Sequence, residues 1–140
     1  AGDDPPTSGL CLISVRDADK PAAVEVAGRL VAQGFTLAAT GGTASALEAA
    51  GLAVRTVNKV AEGRPHIVDL IKNDEAAMII NTTEGRRAIL DSASIRASAE
   101  QHKVFYTTTL AAAEAVCMAL EQETDITVRR LQDLHESIAV

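Results

Sequence analysis

The sequence predicts an α/β protein, a three-layer α/β/α sandwich built on a mostly parallel sheet. Five short apolar runs alternate with helical patterns along the 140 residues. The composition is 47% hydrophobic but only 2% aromatic, so Val, Ile, Leu and Ala must fill the core, the material of strands buried on both faces. Strands joined by helices in this way require right-handed crossovers, which place helices on both sides of the sheet.

Residues 1–8, with Pro5, Pro6, Thr7 and Ser8, have linker composition, and residues 9–140 fit one domain. Leu10–Val15 forms the first strand. In the helix from Lys20 to Gln33, Ala23, Ala27, Leu30 and Val31 share one apolar face, and Gly34 stops it. Phe35–Ala39 makes the second strand, Ala44–Ala50 a short helix ending at Gly51, and Ala53–Val57 the third strand. After a polar loop over Asn58–Arg64, Pro65 suits the first turn of a helix reaching Lys72. Ala76–Ile80 is the fourth strand, Arg87–Gln101 a helix, Lys103–Tyr106 a short fifth strand and Leu110–Glu121 a helix. From Ile126 to Val140 the pattern is read as an extended piece followed by a helix over Leu131–Ser137.

A net charge of −6 argues against general nucleic-acid binding, which needs a basic face. Any bound anion must be held by a local cluster. Cys11 and Cys117 lie in apolar runs without a pairing pattern and read as buried thiols of a cytoplasmic protein. No apolar stretch approaches the ~20 residues of a membrane span, and no secretory signal is visible.

The polar residues gather just beyond the carboxyl ends of the strands, where an open α/β sheet binds ligands. They are Arg16–Lys20, Thr40–Thr43, Asn58 with Lys59, Asn81–Arg87, and Thr107–Thr109. In Thr40-Gly41-Gly42-Thr43 a strand stops at two glycines flanked by hydroxyls and a helix begins. Glycine backbone and helix N–H groups can then approach an anion. Lys20 and Lys59 supply point charges for a phosphate, while Asn81 and Thr83 suit a ribose. Each piece also fits ordinary structure: Thr43 and Thr109 as helix caps, Asp19 as a cap for Lys20, and Gly41-Gly42 as a tight turn. Arg86 and Arg87 open a helix, where cations oppose the dipole, which favours an anion or an acidic partner nearby.

Catalytic chemistry is poorly represented. His66, His102 and His135 are scattered without metal-ligand spacing. His66 fits a capping role or a ligand contact. Asp17 and Asp19 fit first-turn or capping duty, and no nucleophile–base pair can be drawn. The residues therefore read as a binding site with no catalytic group and no metal.

Three segments carry a family resemblance: Ala39–Ala44; Asn58-Lys59-Val60 with Glu62-Gly63-Arg64-Pro65-His66-Ile67; and Ile79–Thr83 with Gly85–Ile89. From about Gly9 to Ile138 the chain resembles the C-terminal regulatory domain of the carbamoyl-phosphate synthase large subunit, which has a methylglyoxal-synthase-like fold. The resemblance implies a five-stranded parallel sheet of order 3-2-1-4-5 and allosteric control without a cofactor. It implies UMP as inhibitor and IMP as activator at one site, with Lys20, Thr40, Gly41, Gly42, Thr43 and Lys59 around the phosphate. Asn81 and Thr83 would hold the ribose. Tyr106 and Thr108 match the part that meets ornithine at the junction with the adjacent synthetase domain. The implied partners are the remaining synthetase domains, the glutaminase small subunit and further copies of the chain, in a cytoplasmic, glutamine-hydrolysing, ATP-dependent ligase. That ligase supplies pyrimidine and arginine biosynthesis.

Gly41 departs from the family, whose bacterial members often carry a bulkier residue there, commonly histidine. Other branches respond to N-acetylglutamate or uridine triphosphate. Methylglyoxal synthase and the cyclohydrolase domain of purine synthesis share the fold. The first, however, has Gly-Gly-Asp where this chain has Glu62-Gly63-Arg64, and the second has a lysine-threonine-leucine-histidine run that is missing here.

Overall fold

The structure is a computed structural model that describes residues 6–59, 62–84, 89 and 92–138, with side chains described as far as residue 132. The elements run β1 (Gly9–Ser14), a 3-10 turn (Asp17–Asp19), α1 (Lys20–Ala32), β2 (Phe35–Thr40), α2 (Gly41–Ala49) and β3 (Arg55–Val57). They continue as α3 (Ile67–Lys72), β4 (Ala76–Asn81), α4 (Ala93–Gln101), β5 (Phe105–Thr107) and α5 (Leu110–Ile138). The five strands form one sheet in the order β3-β2-β1-β4-β5, and every pair is parallel. This is the fold class and strand order expected.

Side chains alternate across a strand, so β1 feeds two cores at once. Cys11 and Ile13 join Leu37, Ala39, Met78 and Ile80 beneath α1, α2 and α5. Leu12 faces the opposite way and packs with Val57, Ile67, Ile71 and Ile79 beneath α3 and α4. Both cysteines are free and buried, and burial pushes both thiols up. Gly34 follows α1 at φ +100°, a left-handed conformation that glycine adopts without penalty, so it stops the helix as expected.

Two expectations are corrected, and a third falls partly outside the described residues. Residues 110–138 form one helix of 29 residues, not a helix and an extended piece. The β-branched residues of its second half cost only tenths of a kcal/mol each, ~0.5 on average. The hydroxyls among them find partners within the helix, and an i,i+4 ion pair offsets part of the cost. Thr124 and Thr127 donate to the carbonyls four residues back at 2.9 and 3.0 Å, and Asp125 pairs with Arg129 at 3.3 Å. Pro65 does not open α3; the N-cap is His66. α4 begins at Ala93, and the expected helix start at Arg87, like Arg86, falls outside the described residues. Among the described residues no helix is long and apolar enough to cross a membrane.

Arg29 ties α1 to α5 by a double contact to Glu121, at 2.5 and 2.9 Å. The guanidinium holds the Glu121 carboxyl below its ordinary 4.5. A lowered pKa means the folded state gives up its proton more readily than the unfolded chain. The pair therefore contributes fully above pH 4.5, and its contribution is lost as pH falls through the folded value. Melting curves should show Glu121→Gln less stable than the parent near neutrality, with the two converging as the pH falls well below 4.5.

Candidate functional site

Because all strands are parallel, the polar segments that follow them meet along one sheet edge, as the sequence predicts. Described residues of the segments after β1, β2, β3 and β4 surround a cleft of about 340 Å³. Lys20, Thr40, Gly42, Thr43, Lys59, Asn81 and Thr83 all line it. Gly41 does not; it is exposed to solvent. The edge is closed by bonds between strand ends. Thr82 N–H donates to the Ser14 carbonyl at 3.0 Å, and Arg16 N–H donates to Thr82 Oγ1 at 3.0 Å.

The floor is the start of α2, which begins three residues earlier than the sequence pattern indicates. Thr40 is the N-cap, and Gly41, Gly42 and Thr43 form the first turn. Thr40 makes no side-chain capping bond. Its Oγ1 instead shares a 3.1 Å hydrogen bond with Ser14 Oγ, so one of the two hydroxyl hydrogens is free to turn into the cleft. The first-turn N–H groups, which have no partner within the helix, keep the positive end of the dipole toward the opening.

Thr43 is neither the cap nor a free donor. It is 2% exposed, accepts from Val15 N–H at 3.2 Å and sits 3.5 Å from the Val15 carbonyl, bracing β1 against α2. Nor does Asp19 cap α1 with its side chain; it pairs with Arg16 at 2.8 Å. Thr109 does cap α5, accepting from Ala112 N–H at 3.1 Å.

Lys20 reaches over this floor. A Cβ placed on Gly42 would stand 2.9 Å from Lys20 Nζ, so a glycine is what admits the ammonium here. Around Gly41 the corresponding space is open. Gly42→Ala is expected to displace Lys20 and weaken anion binding severalfold. Gly41→Ala should leave binding intact and change stability by no more than about 1 kcal/mol. Calorimetry and melting curves on both variants check this.

The Lys20 ammonium meets Asp17 Oδ1 at 2.5 Å, an exposed and easily exchanged contact. Lys20, through this bond and its charge, holds the Asp17 carboxyl below the usual range, and the charge of Lys59 adds to the effect. Both lysines therefore act on the same small volume.

Asn81 stands at the far wall, 5% exposed. Its amide donates to Tyr106 Oη at 2.8 Å and to Ser92 Oγ at 3.1 Å, so both amide hydrogens are already committed. Only the carbonyl oxygen remains to meet a ligand hydroxyl. Beyond this wall opens a second cleft of about 540 Å³, lined by Tyr106 and Thr108 together with Arg96 and Glu100. Arg96 lies 5.7 Å over the Tyr106 ring. Asn81, Thr83 and Ser92 belong to both clefts. Residues the sequence reading missed include Ser14, Ser92, Ile67 and Ile95. Ser14 left a trace, as a hydroxyl near the end of the first apolar run.

His66 caps α3 and its ring is largely buried; His102 lies 3.3 Å from Asp74 on the surface. The side chain of His135 is outside the described residues. Among the described residues no three His, Cys, Asp or Glu side chains group as metal ligands would.

A family model, the MGS-like domain, matches residues 22–108. This chain belongs to the MGS-like domain family.

The MGS-like domain is 62% identical over 133 residues to the carbamoyl phosphate synthase large chain of Pseudomonas aeruginosa, covering 95% of this chain and 12% of that protein. It is 61% identical over 127 residues to that of Halomonas eurihalina (91% and 12% covered) and 50% over 139 residues to that of Ralstonia nicotianae (99% and 13%). The domain thus spans about an eighth of the length of these relatives. Among solved structures, methylglyoxal synthase from Elizabethkingia anophelis superposes with a TM-score of 0.64 at 20% identity, covering 81% of this chain and 79% of that one. At that identity the likeness concerns the fold.

Proposed function

We propose that this MGS-like domain is the C-terminal regulatory domain of a carbamoyl-phosphate synthase large chain and binds nucleoside monophosphates in the first cleft. UMP acts as inhibitor and IMP as activator, and ornithine activates from the second cleft. The observation that carries this reading is the convergence of two lysines on the uncapped start of α2, opposite a wall of hydroxyl and amide groups. A phosphate is met by Lys20, Lys59, the Gly42 backbone and a hydroxyl of the Thr40–Ser14 pair. A ribose hydroxyl is met by Asn81 Oδ1 and by Thr83.

Binding without bond-making fits the carboxylates present. Asp17 and Glu84 line the cleft, but Asp17 is held below the usual range, away from the near-neutral pKa of an effective general base. The remaining synthetase domains, a glutaminase small subunit and a cytoplasmic setting complete the proposal, drawn from the relatives' identity as the ligase's large chain. Opposite responses to UMP and IMP at one site require that each prefer a different packing of this domain against its neighbours. A coupling of about 1–3 kcal/mol suffices for useful control.

The test is calorimetric titration of the folded chain with UMP and with IMP. Saturable heat with either supports the reading, and no heat at millimolar ligand sinks it. Conversion of triose phosphate to methylglyoxal is assayed alongside; turnover would make the domain an enzyme.

A further inference from the structure

We propose that Arg64, Asp69 and His66 form a clamp that positions Lys59 at the mouth of the first cleft, making Asp69 a positioning residue for anion binding. The inference rests on the reading above, in which Lys59 meets the phosphate.

Lys59 stands in the connection between β3 and α3, just past the point where the two stems of that connection are joined. Asn58 and His66 form a parallel bridge, with Asn58 N–H donating to the Pro65 carbonyl at 3.3 Å and Ile67 N–H to the Asn58 carbonyl at 3.2 Å. On the outgoing side Lys59 and Glu62 bond to each other. The Lys59 N–H donates to Glu62 Oε1 at 2.7 Å, and Glu62 N–H donates back to the Lys59 carbonyl at 2.9 Å. On the returning side Arg64 and His66 both bond to the Asp69 carboxylate.

Asp69 sits in the first turn of α3 with its side chain 11% exposed. It accepts from Arg64 Nη2 at 2.7 Å, Arg64 Nε at 3.0 Å and His66 N–H at 2.9 Å. One carboxylate therefore holds two residues of the returning stem. The Arg64 contacts, followed by the His66 N–H, keep Asp69 below the usual carboxylate range. Among the described residues, His66 Nδ1 is buried without a hydrogen-bond partner, 3.6 Å from Asp69 Oδ2. An unsatisfied buried nitrogen costs stability, so packing alone gives no reason for an imidazole here. The ring lies against the same carboxylate without bonding to it.

Asp69 does not line the cleft, whereas the residues framing its stem do: Lys59 on one side of the bridge and Ile67 on the other. Its influence on a ligand must pass through them. A carboxylate-to-amide change places N–H groups against the donors of Arg64 and His66, which releases the stem and lets Lys59 wander.

A double-mutant cycle separates positioning from general stability. UMP affinity is measured by calorimetry for the 140-residue chain and for Asp69→Asn, Lys59→Ala and their combination. Asp69→Asn should weaken binding about tenfold, and the combination should bind no more weakly than Lys59→Ala alone. Unchanged affinity in Asp69→Asn, or losses that multiply, overturns the clamp. Arg64→Gln provides a variant at low risk of misfolding, since that side chain is 79% exposed; it should show the same non-additivity with Lys59→Ala.

A second measurement needs no ligand. In the reductively ¹³C-methylated chain, the Lys59 signal, assigned by its loss in Lys59→Ala, should shift and narrow in Asp69→Asn. A signal that stays put counts against the clamp. If the parent chain binds no UMP, the functional reading falls and this signal alone decides the clamp.

Discussion

Replacing Lys20 and Lys59 together by alanine is expected to lower UMP affinity by at least about 100-fold while leaving the melting temperature within a few degrees of the parent. Each ammonium supplies a charge-assisted hydrogen bond worth about 1.5–3 kcal/mol, so each single change should cost roughly tenfold or more. The lysines approach from different elements, Lys20 from the start of α1 and Lys59 from the β3–α3 connection. Neither is buried: Lys20 is engaged by a 90% exposed aspartate, and Lys59 is exposed. Stability should therefore be nearly indifferent to their loss. The domain carries a net charge of −6, so removing both cations also strips the cleft of its local protection against the overall field. Affinity should fall with ionic strength in the parent and much less in the double variant. Titrations of all three variants at two salt concentrations check this. An unchanged affinity in the double variant would mean that the phosphate is held elsewhere.

Leu12→Ala is expected to destabilise the fold by about 2–5 kcal/mol, the range for deleting a fully buried leucine side chain. Leu12 is 0% exposed in the central strand and packs with Val57, Ile67, Ile71 and Ile79 beneath α3 and α4. Its neighbours belong to strands and helices that cannot collapse into the space without moving the sheet. A domain of this size has about 5–15 kcal/mol in total, so the loss is a large fraction of it. Urea unfolding should show a lower midpoint with an unchanged slope. Val31→Ala, at a position 41% exposed on α1, should stay within about 0.5 kcal/mol of the parent. A Leu12→Ala midpoint equal to that of Val31→Ala would contradict the burial described.

Much of this was legible in the residues because it depends on local pattern. The strands of Ile, Leu and Val, the stop at Gly34 and the placing of polar segments after each strand follow from burial and from parallel topology. What escaped was decided by contacts distant in sequence. Thr43 looks like a cap, but Val15, 28 residues away, claims its hydroxyl. Asn81 looks like a free amide, but Tyr106 and Ser92 take both of its hydrogens. Asp69 is the exception: Arg64 and His66 stand only five and three residues before it, yet nothing in the residue pattern singled out its carboxylate as their shared partner. The tail beyond Ile126 misled in the other direction. The residues there were read as an extended piece, yet the helix continues, its Thr127 hydroxyl satisfied on the Glu123 carbonyl and Asp125 paired with Arg129.

The partition formed by Asn81 has a thermodynamic corollary. It is a single amide, shared by two clefts, with no hydrogen to spare. A guest on one side that draws the amide toward itself loosens the Tyr106 hydroxyl on the other, and a guest there that recruits Tyr106 frees the amide. Linkage requires these influences to be equal in size, so the factor by which one guest changes the other's dissociation constant can be measured from either direction. Two chambers with a common wall of this kind make a balance, and weighing one pan reads the other.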